Sequence, residues 1–559
     1  MDRRRALKLL GLGALSPGVV SVSANPSDPP STFRHGVAAG DPTQERLIIW
    51  TRVTPARPGW RGEVGWIVAE DPALKRVAAS GTAEAAPERD FTVKVDVGGL
   101  EPGRTYWYRF QVGQHASAVG RARTLPAGPT QKLVLAVVSC AHFQCGLFNA
   151  YDAVARLARV DAVIHLGDYI YEEADGASSF SARRGRELGR YMQPKTELRT
   201  LQDYRARHAL YRTDPDLKAA HARAAWICQW DDHESANDCW TGGSEKPDGP
   251  WGARKAAAMR AYYEWMPIRE PAPGRPLEAI NRSFQFGDLM TLIMMETRLI
   301  ARAHQLSYVH GMPKLEMPDG RKVPDMTGFR ARLSDPARQM LGAQQEAWVA
   351  GELDRSVQSN TTWQVLGSGV VMAPVTAPDV RSILGDAVAD LVLATLPAHR
   401  RAEVGNMAEV FAYGAPYNLD AWDGYPAARA RLYAALTASG ARPIVISGDS
   451  HAFWANDLID GDGRQAAVEF GTTSITSPGI CDFAPALPIN RFLQDANPHV
   501  RFTDHGAKGF LKLTLSHGGA VGELVAVSTV RARPYQLRVL KRFETAPAPG
   551  GGVQPLVEA

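Results

Sequence analysis

The sequence predicts an α/β protein in which an N-terminal β-sandwich precedes a larger domain built on buried strands. Three observations predict it. Between residues 33 and 127, short β-type runs are divided by Gly, Pro and Asp, the spacing of an all-β sandwich. From residue 131 the runs become continuous and apolar, as in strands covered on both faces. Five of those later runs end in residues that carry charge or bind metals, which places a site at the carboxyl ends of strands.

Taken in order, the chain opens with Arg3-Arg4-Arg5-Ala6-Leu7-Lys8, a glycine-bearing apolar stretch from Leu9 to Val22, and small residues at Val22-Ser23-Ala24. This is the layout of a signal peptide over residues 1–24, and its arginine run is similar to a twin-arginine signal. The expectation is export of the folded protein by the twin-arginine machinery, to the periplasm or outside the cell. No other apolar run approaches the ~20 residues that span a bilayer, so no transmembrane segment is expected in the mature chain. At 559 residues the chain has room for two domains, and its formal charge of +4 does not demand a nucleic-acid partner. Five cysteines are too few and too oddly numbered for a disulfide scaffold. Pairing among Cys145, Cys228, Cys239 and Cys481 stays open.

In the first domain, Arg46 to Val53, Val64 to Ala69, Phe91 to Val97 and the alternating aromatics Tyr106-Trp107-Tyr108-Arg109-Phe110 read as strands. The sandwich carries no cluster of nucleophiles or metal-type residues, so a supporting role is expected, with residues 120–129 as the linker. The second domain, residues 131–544, starts with the strand Lys132 to Val138, a helix over Phe148 to Ala158 and a strand from Val163, a β-α-β unit. Glu173 to Ala222 is polar and arginine-rich and is expected to be a solvated insertion or lid, with a helix over Leu201 to Tyr211. Further strands are expected at Ala224 to Trp230, Leu289 to Met295, Thr361 to Leu366, Pro443 to Ser447, Val468 to Gly471, Phe510 to Ser516 and Glu523 to Val530. The Pro/Gly-rich tail, residues 545–559, is expected to be loose.

The strand ends collect Cys140, Asp168, Tyr171, Asp231 or Asp232, His233, Asn237, Asp449 and His451. An aspartate after a strand usually begins a turn, but five runs ending this way point to one shared centre. Neighbouring strand residues alternate faces, so one of Asp231 and Asp232 is expected to reach it. Thiolate, phenolate and imidazole from Cys140, Tyr171 and His451 suit a transition metal, and phenolate favours trivalent iron. Asp232, Asn237 and Asp449 offer oxygen alone, which suits calcium. Asp168 stands between the two sets and can bridge them.

These blocks resemble a known family. Gly167-Asp168-x-x-Tyr171, then Asp232-His233-Glu234, then Gly448-Asp449-x-His451 are similar to the ordered blocks of the calcineurin-like metallophosphoesterases, purple acid phosphatases included. Phe33 to Pro42, Trp50-Thr51-Arg52, Ser139-Cys140, Trp422 to Pro426 and Gly448 to His451 are closest to the alkaline phosphatase D type. The resemblance implies a β-sandwich followed by a four-layer α/β/β/α metallophosphoesterase domain. It implies one Fe3+ and two Ca2+, with iron on Cys140, Tyr171 and His451, calcium on Asp232, Asn237 and Asp449, and Asp168 between them. It gives His233 the contact with phosphate or the protonation of the leaving group. The expected reaction is hydrolysis of a phosphate monoester or diester by a metal-held hydroxide or oxide. Glu296-Thr297-Arg298 departs from the family's more common Asp-Thr-Arg, and that strand is expected to shape the substrate side. Two rivals use the same stretches. Gly448-Asp449-Ser450 matches the short block of Gly-Asp-Ser esterases with Ser450 as nucleophile, and a binding module with a decayed site is the non-enzyme alternative.

Overall fold

A computed structural model describes residues 33–559 apart from 56–58, 247–248 and 396–397. The signal-peptide expectation therefore lies outside the described residues. Two large sheets organise the chain. The first has ten strands in the order Val557–Glu558, Leu537–Thr545, Gly519–Val527, Lys508–Ser516, Leu133–Val138, Ala162–His165, Ala225–Cys228, Val37–Gly40, Leu47–Arg52 and Thr92–Val97. The second has seven, in the order Arg282–Phe286, Met290–Met294, Trp363–Ser368, Pro443–Ser447, Gln465–Gly471, Phe453–Ile459 and Val500–Asp504. The central strands of each sheet are parallel to one another.

Alternation along these strands explains the layers. Leu133, Leu135 and Val137 point between the sheets and meet Met290, Leu292, Ile444, Ile446, Val468 and Phe470. Their neighbours Ala136 and Val138, with Trp226 and Cys228, point outward under the helical layer that contains Tyr151, Tyr204, Leu217 and Tyr262. On the far side, Ile293 and Val445 meet Val349, Leu353, Leu432 and Leu436 from the helices Ala343–Gln358 and Pro426–Ala438. Both faces of each central strand are thus buried, which is why the runs read as unbroken apolar sequence. The result is the four-layer α/β/β/α arrangement. At about 1.5–3 kcal/mol per fully buried aliphatic or aromatic side chain, these three interfaces dominate the stability of the strand framework.

The N-terminal sandwich shares a layer with the larger domain. Its strands Val37–Gly40, Leu47–Arg52 and Thr92–Val97 continue the ten-stranded sheet, with Ala39 beside Ala225 in a parallel ladder. The other layer is a separate small sheet of Val77–Ala85, Gly62–Ala69, Thr105–Val112 and His115–Ala116, with Gly120–Arg123 also paired to Thr105–Val112. Val37, Ala39, Leu47, Ile49, Val93, Tyr106, Tyr108 and Phe110 fill the space between them.

Three expectations fail here, each for a packing reason. Gly120–Arg123 was expected as linker, but its alternating burial fits an edge strand and the connection begins only afterwards. The 173–222 stretch forms the helices Ser179–Leu188, Leu201–Tyr211 and Pro215–Arg223, and Tyr204, Arg205, Arg207 and Tyr211 are buried. Arg205, Arg207 and Arg212 are used internally while Arg183, Arg186 and Arg199 stay exposed, so the stretch is a structural part of the outer helical layer with one solvated face. The tail is packed as well. Val553 and Leu556 enter the core between the sheets, the Leu556 N–H donates to Asp457 (2.8 Å), and Val557–Glu558 pairs with Leu537–Thr545.

Candidate metal centre

Both sheets present their parallel strands' carboxyl ends at one edge. Leu133–Val138 runs into Ser139-Cys140, Ala162–His165 into Gly167-Asp168, and Ala225–Cys228 into Asp231-Asp232-His233. From the second sheet, Met290–Met294 runs into Glu296-Thr297-Arg298 and Pro443–Ser447 into Gly448-Asp449-Ser450-His451. Gly167 permits the approach of two of these turns. Its φ is +114°, and a Cβ there would lie 2.4 Å from Asp231 Cβ. Among the described residues, ten non-glycine residues have positive φ, including Cys140 (59°), Asp168 (58°), Asp449 (62°) and His451 (55°). The left-handed region is costly for side-chain-bearing residues and concentrates at functional sites, so this clustering marks the strand ends as built for something other than connection.

Asp168 is the common member of three groups whose ligand atoms all lie within 4.8 Å of one another: Cys140 with His451, Asp232 with His233, and Asp231 with Asp232 and Asp449. Tyr171 joins the first group. Its hydroxyl donates to Asp168 Oδ2 (2.9 Å), lies 3.2 Å from His451 Nε2, and accepts from Ser477 Oγ (2.7 Å). His451 Nδ1 is 2.8 Å from the Pro478 carbonyl, which fixes the proton on Nδ1 and leaves Nε2 as the ligand atom. His233 Nδ1 lies 2.7 Å from Glu172 Oε2, so its Nε2 is the atom left for a ligand.

The electrostatics describe a cradle short of positive charge. Burial drives the Asp168 carboxyl well above its ordinary range; His233 opposes this, while Asp232, Asp231 and Glu234 add to it. Burial likewise raises the Cys140 thiol, with Asp168 and Asp449 adding to it, and the Tyr171 phenol, with Asp168 and Cys140 adding to it. Burial holds His451 neutral, its pKa lowered to about 3. Burial alone would make His233 less basic, but Asp232, Glu172 and Asp168 raise it well above its ordinary value. One carboxylate oxygen of Asp168 and one of Asp232 are buried without a hydrogen-bond partner. Buried acids left in this state call for a cation, and a thiol, a phenol, an imidazole and several carboxylates suit metal ions. The residues fit a metal cluster.

Asp231 and Asp232 have opposite fates. Arg298, fully buried, clasps Asp231 with Nε to Oδ1 at 2.7 Å and Nη2 to Oδ2 at 2.8 Å. Asp232 keeps its orphaned oxygen, while burial raises its pKa and Arg298 and His233 more than offset this. Asn237 stands at the rim. Its amide nitrogen donates to Glu245 (3.1 Å) and its backbone N–H to Glu172 (2.6 Å). The Glu296 strand does not shape a substrate face as expected. Glu296 is buried and accepts from the N–H groups of Arg298, Leu299 and Ile300 and from the Trp230 indole. Ser450 Oγ accepts from Trp454 Nε1 (2.9 Å), and among the described residues no histidine hydrogen-bonds it, which removes the base that a serine esterase needs.

Four side chains that brace the centre had been given no role there from the sequence. Glu172 joins His233 to the Asn237 loop. Glu234 receives the N–H groups of Asp168, Tyr169 and Asp231, clamping two strand ends together. Arg298 neutralises Asp231, and Arg207 donates to the carbonyls of Tyr171 and Glu173 and so braces the turn after Asp168. Only Glu172 and Glu234 carried a signal, as acids directly following ligand candidates.

Comparison with known proteins places the chain in a family. Residues 135–524 match the PhoD-like phosphatase family, and residues 20–126 match the PhoD-like phosphatase N-terminal domain. Alkaline phosphatase D of Bacillus subtilis (strain 168) is 32% identical over 540 residues, 92% of this chain and 82% of that protein. The solved structure of PhoD superposes with a TM-score of 0.74 at 28% identity, covering 96% of this chain and 93% of that one. The chain belongs to the PhoD-like phosphatase family and is a hydrolase of phosphoric esters.

Proposed function

We propose that the chain is an exported phosphoesterase, acting on monoesters, diesters or both, whose centre holds one ferric iron and two calcium ions. Iron would be held by Cys140, Tyr171 and His451, calcium by Asp232, Asn237 and Asp449, with Asp168 bridging. The observation that carries this reading is the segregation of donors around Asp168. Sulfur, imidazole and phenol meet Asp168 in one group, and Asp231, Asp232 and Asp449 meet it in another, with His233 beside Asp232. When bound, such metals supply Lewis acidity toward the phosphoryl oxygens and lower the pKa of a water at neutral pH.

The chain's own residues supply orientation and proton traffic. Pro478 fixes the tautomer of His451, and Ser477 donates to the Tyr171 oxygen, which supports its deprotonated form. Glu172 holds the His233 imidazole with a proton on Nδ1 and presents Nε2 to the phosphoester, where it contacts a phosphoryl oxygen or protonates the departing alkoxide. Arg298 offsets the charge of Asp231 without occupying the cradle. The twin-arginine-type leader supports export in a folded, metal-loaded state. One purification with metal analysis, a visible spectrum, and parallel monoester and diester assays tests the whole reading. Iron and calcium near one and two equivalents, a phenolate-to-iron charge-transfer band, and activity abolished by chelation are expected. Full activity after the metals are stripped would sink it.

A further inference from the structure

The helix Leu201–Tyr211 carries His208 and ends at Arg212, one turn further on. Both enter an aromatic chamber between the strand Leu47–Arg52 and the helix Trp251–Trp265. Arg212 Cζ lies 4.3 Å from the centre of the Trp50 ring, Trp50 is 5.7 Å from Trp265, and His208 stacks on Trp265 at 6.2 Å with 13° between the planes. Arg212 is 0% exposed and His208 1%. Yet Arg212 Nε, Nη1 and Nη2, both nitrogens of His208, and Trp265 Nε1 have no hydrogen-bond partner. The Tyr169 hydroxyl feels Arg212 both as a charge and as a side-chain donor, but it is held by His221 Nε2 (2.9 Å) and its contact with the guanidinium falls outside hydrogen-bond geometry, so a neutral hydroxyl is all that faces Arg212 there.

Among the described residues, the other fully buried arginines all find oxygen. Arg207 donates to backbone carbonyls, Arg298 to Asp231 and Arg302 to Asp420. The acid nearest Arg212 in sequence, Asp214, is already taken by Arg190 (2.7 Å) and by the N–H groups of Asp216 and Leu217. An aromatic face offsets part of a cation's charge, but it accepts nothing along the edge of the guanidinium. Water would satisfy that edge and leave the charge uncompensated. An anion does both, because a charged acceptor binds the donors more strongly and neutralises the group.

We propose that this chamber binds a small inorganic anion of the halide class, chloride under ordinary conditions, against Arg212, His208 and Trp265. The anion would join the N-terminal strands to the helical layer behind the Asp168 turn, since the ring of Tyr169 lies 6.1 Å from that of His208.

The full chain, dialysed into gluconate and then titrated with chloride at constant ionic strength, reads this out by thermal melting. A gain of about 2 °C or more is expected in the wild type, with none in Arg212→Met and a weakened one in Trp265→Phe, which keeps the ring and removes its donor. Crystals grown in bromide are expected to show anomalous density in contact with the Arg212 guanidinium. Ordered water alone in the chamber, or a chloride gain that persists undiminished in Trp265→Phe and Arg212→Met, would overturn the proposal. If Arg212→Met does not fold, Trp265→Phe and the bromide density decide it.

Discussion

Two buried aspartates, Asp41 and Asp168, show how the same side chain serves opposite purposes. Asp41 sits where the N-terminal strands meet the larger domain. Arg282 reaches both of its oxygens (2.7 and 3.1 Å), and the Arg269 N–H donates to Oδ2 (2.8 Å). Its charge is cancelled and its acceptors are filled by the protein itself. Asp168 is equally buried, accepts one hydrogen bond from Tyr171, and leaves Oδ1 bare among Cys140, Asp232 and Asp449. The nearby guanidinium makes its hydrogen bonds outside the cradle, with Arg298 donating to Asp231 and Asp420 and reaching Asp232 and Asp449 only at 3.8 and 3.9 Å. A carboxylate that the fold neutralises is a structural joint. A group of them that the fold leaves unneutralised is a receptor for charge from outside.

The contrast can be broken by experiment. Asp168→Asn should have the largest effect: metal content collapses and kcat falls by on the order of 10²–10³ or more. The melting temperature of the metal-stripped protein should nonetheless rise, because an acid whose ionised form the fold disfavours has gone. A fall in the stripped protein would mean that Asp168 is a joint like Asp41. Asp41→Ala should act in reverse, losing about 3–5 kcal/mol in denaturant unfolding while kcat per folded molecule stays unchanged. Glu172→Gln should retain the metals yet lose about 10–100-fold in rate, with a shifted acid limb in the pH profile of kcat if His233 acts as the proton donor.

The smallest effect concerns pH. Burial, with Arg52 adding to it, lowers His35 from 6.5 to about 3, and burial, with Arg212 adding to it, does the same to His208. Folded, these rings stay neutral; unfolded, they take up protons below about pH 6.5. Stability from them is therefore present above about 6.5 and declines as pH falls toward about 3, by on the order of 1 kcal/mol per ring per pH unit. Urea midpoints measured from pH 7 to pH 5 on metal-free protein should fall accordingly, and His208→Gln should flatten the slope.

Much of the fold was legible because both faces of the central strands are buried. Leu133–Val138 and Pro443–Ser447 read as strands from unbroken apolar sequence, and the centre was legible because ligand types recur at their ends. The 173–222 stretch misled because Arg205, Arg207 and Arg212 look like solvent-facing residues in sequence, whereas carbonyls, Glu264 and aromatic rings receive them in the fold. The tail misled because Pro and Gly report turns and say nothing about whether Val553 and Leu556 find a groove.

Sequence alone determined the residue types of the centre, the order of its blocks along the chain and the apolar runs that build the layers, since these depend on local pattern. Tertiary structure alone decided that Asp231 is clasped by Arg298 while one oxygen of Asp232 is left without a hydrogen bond, that Glu172 orients His233, and that the first sandwich layer merges into the ten-stranded sheet. Each of these depends on which partner stands opposite a side chain far away along the chain, and hydrogen bonding and charge compensation act through that distance in space and not through position in the sequence.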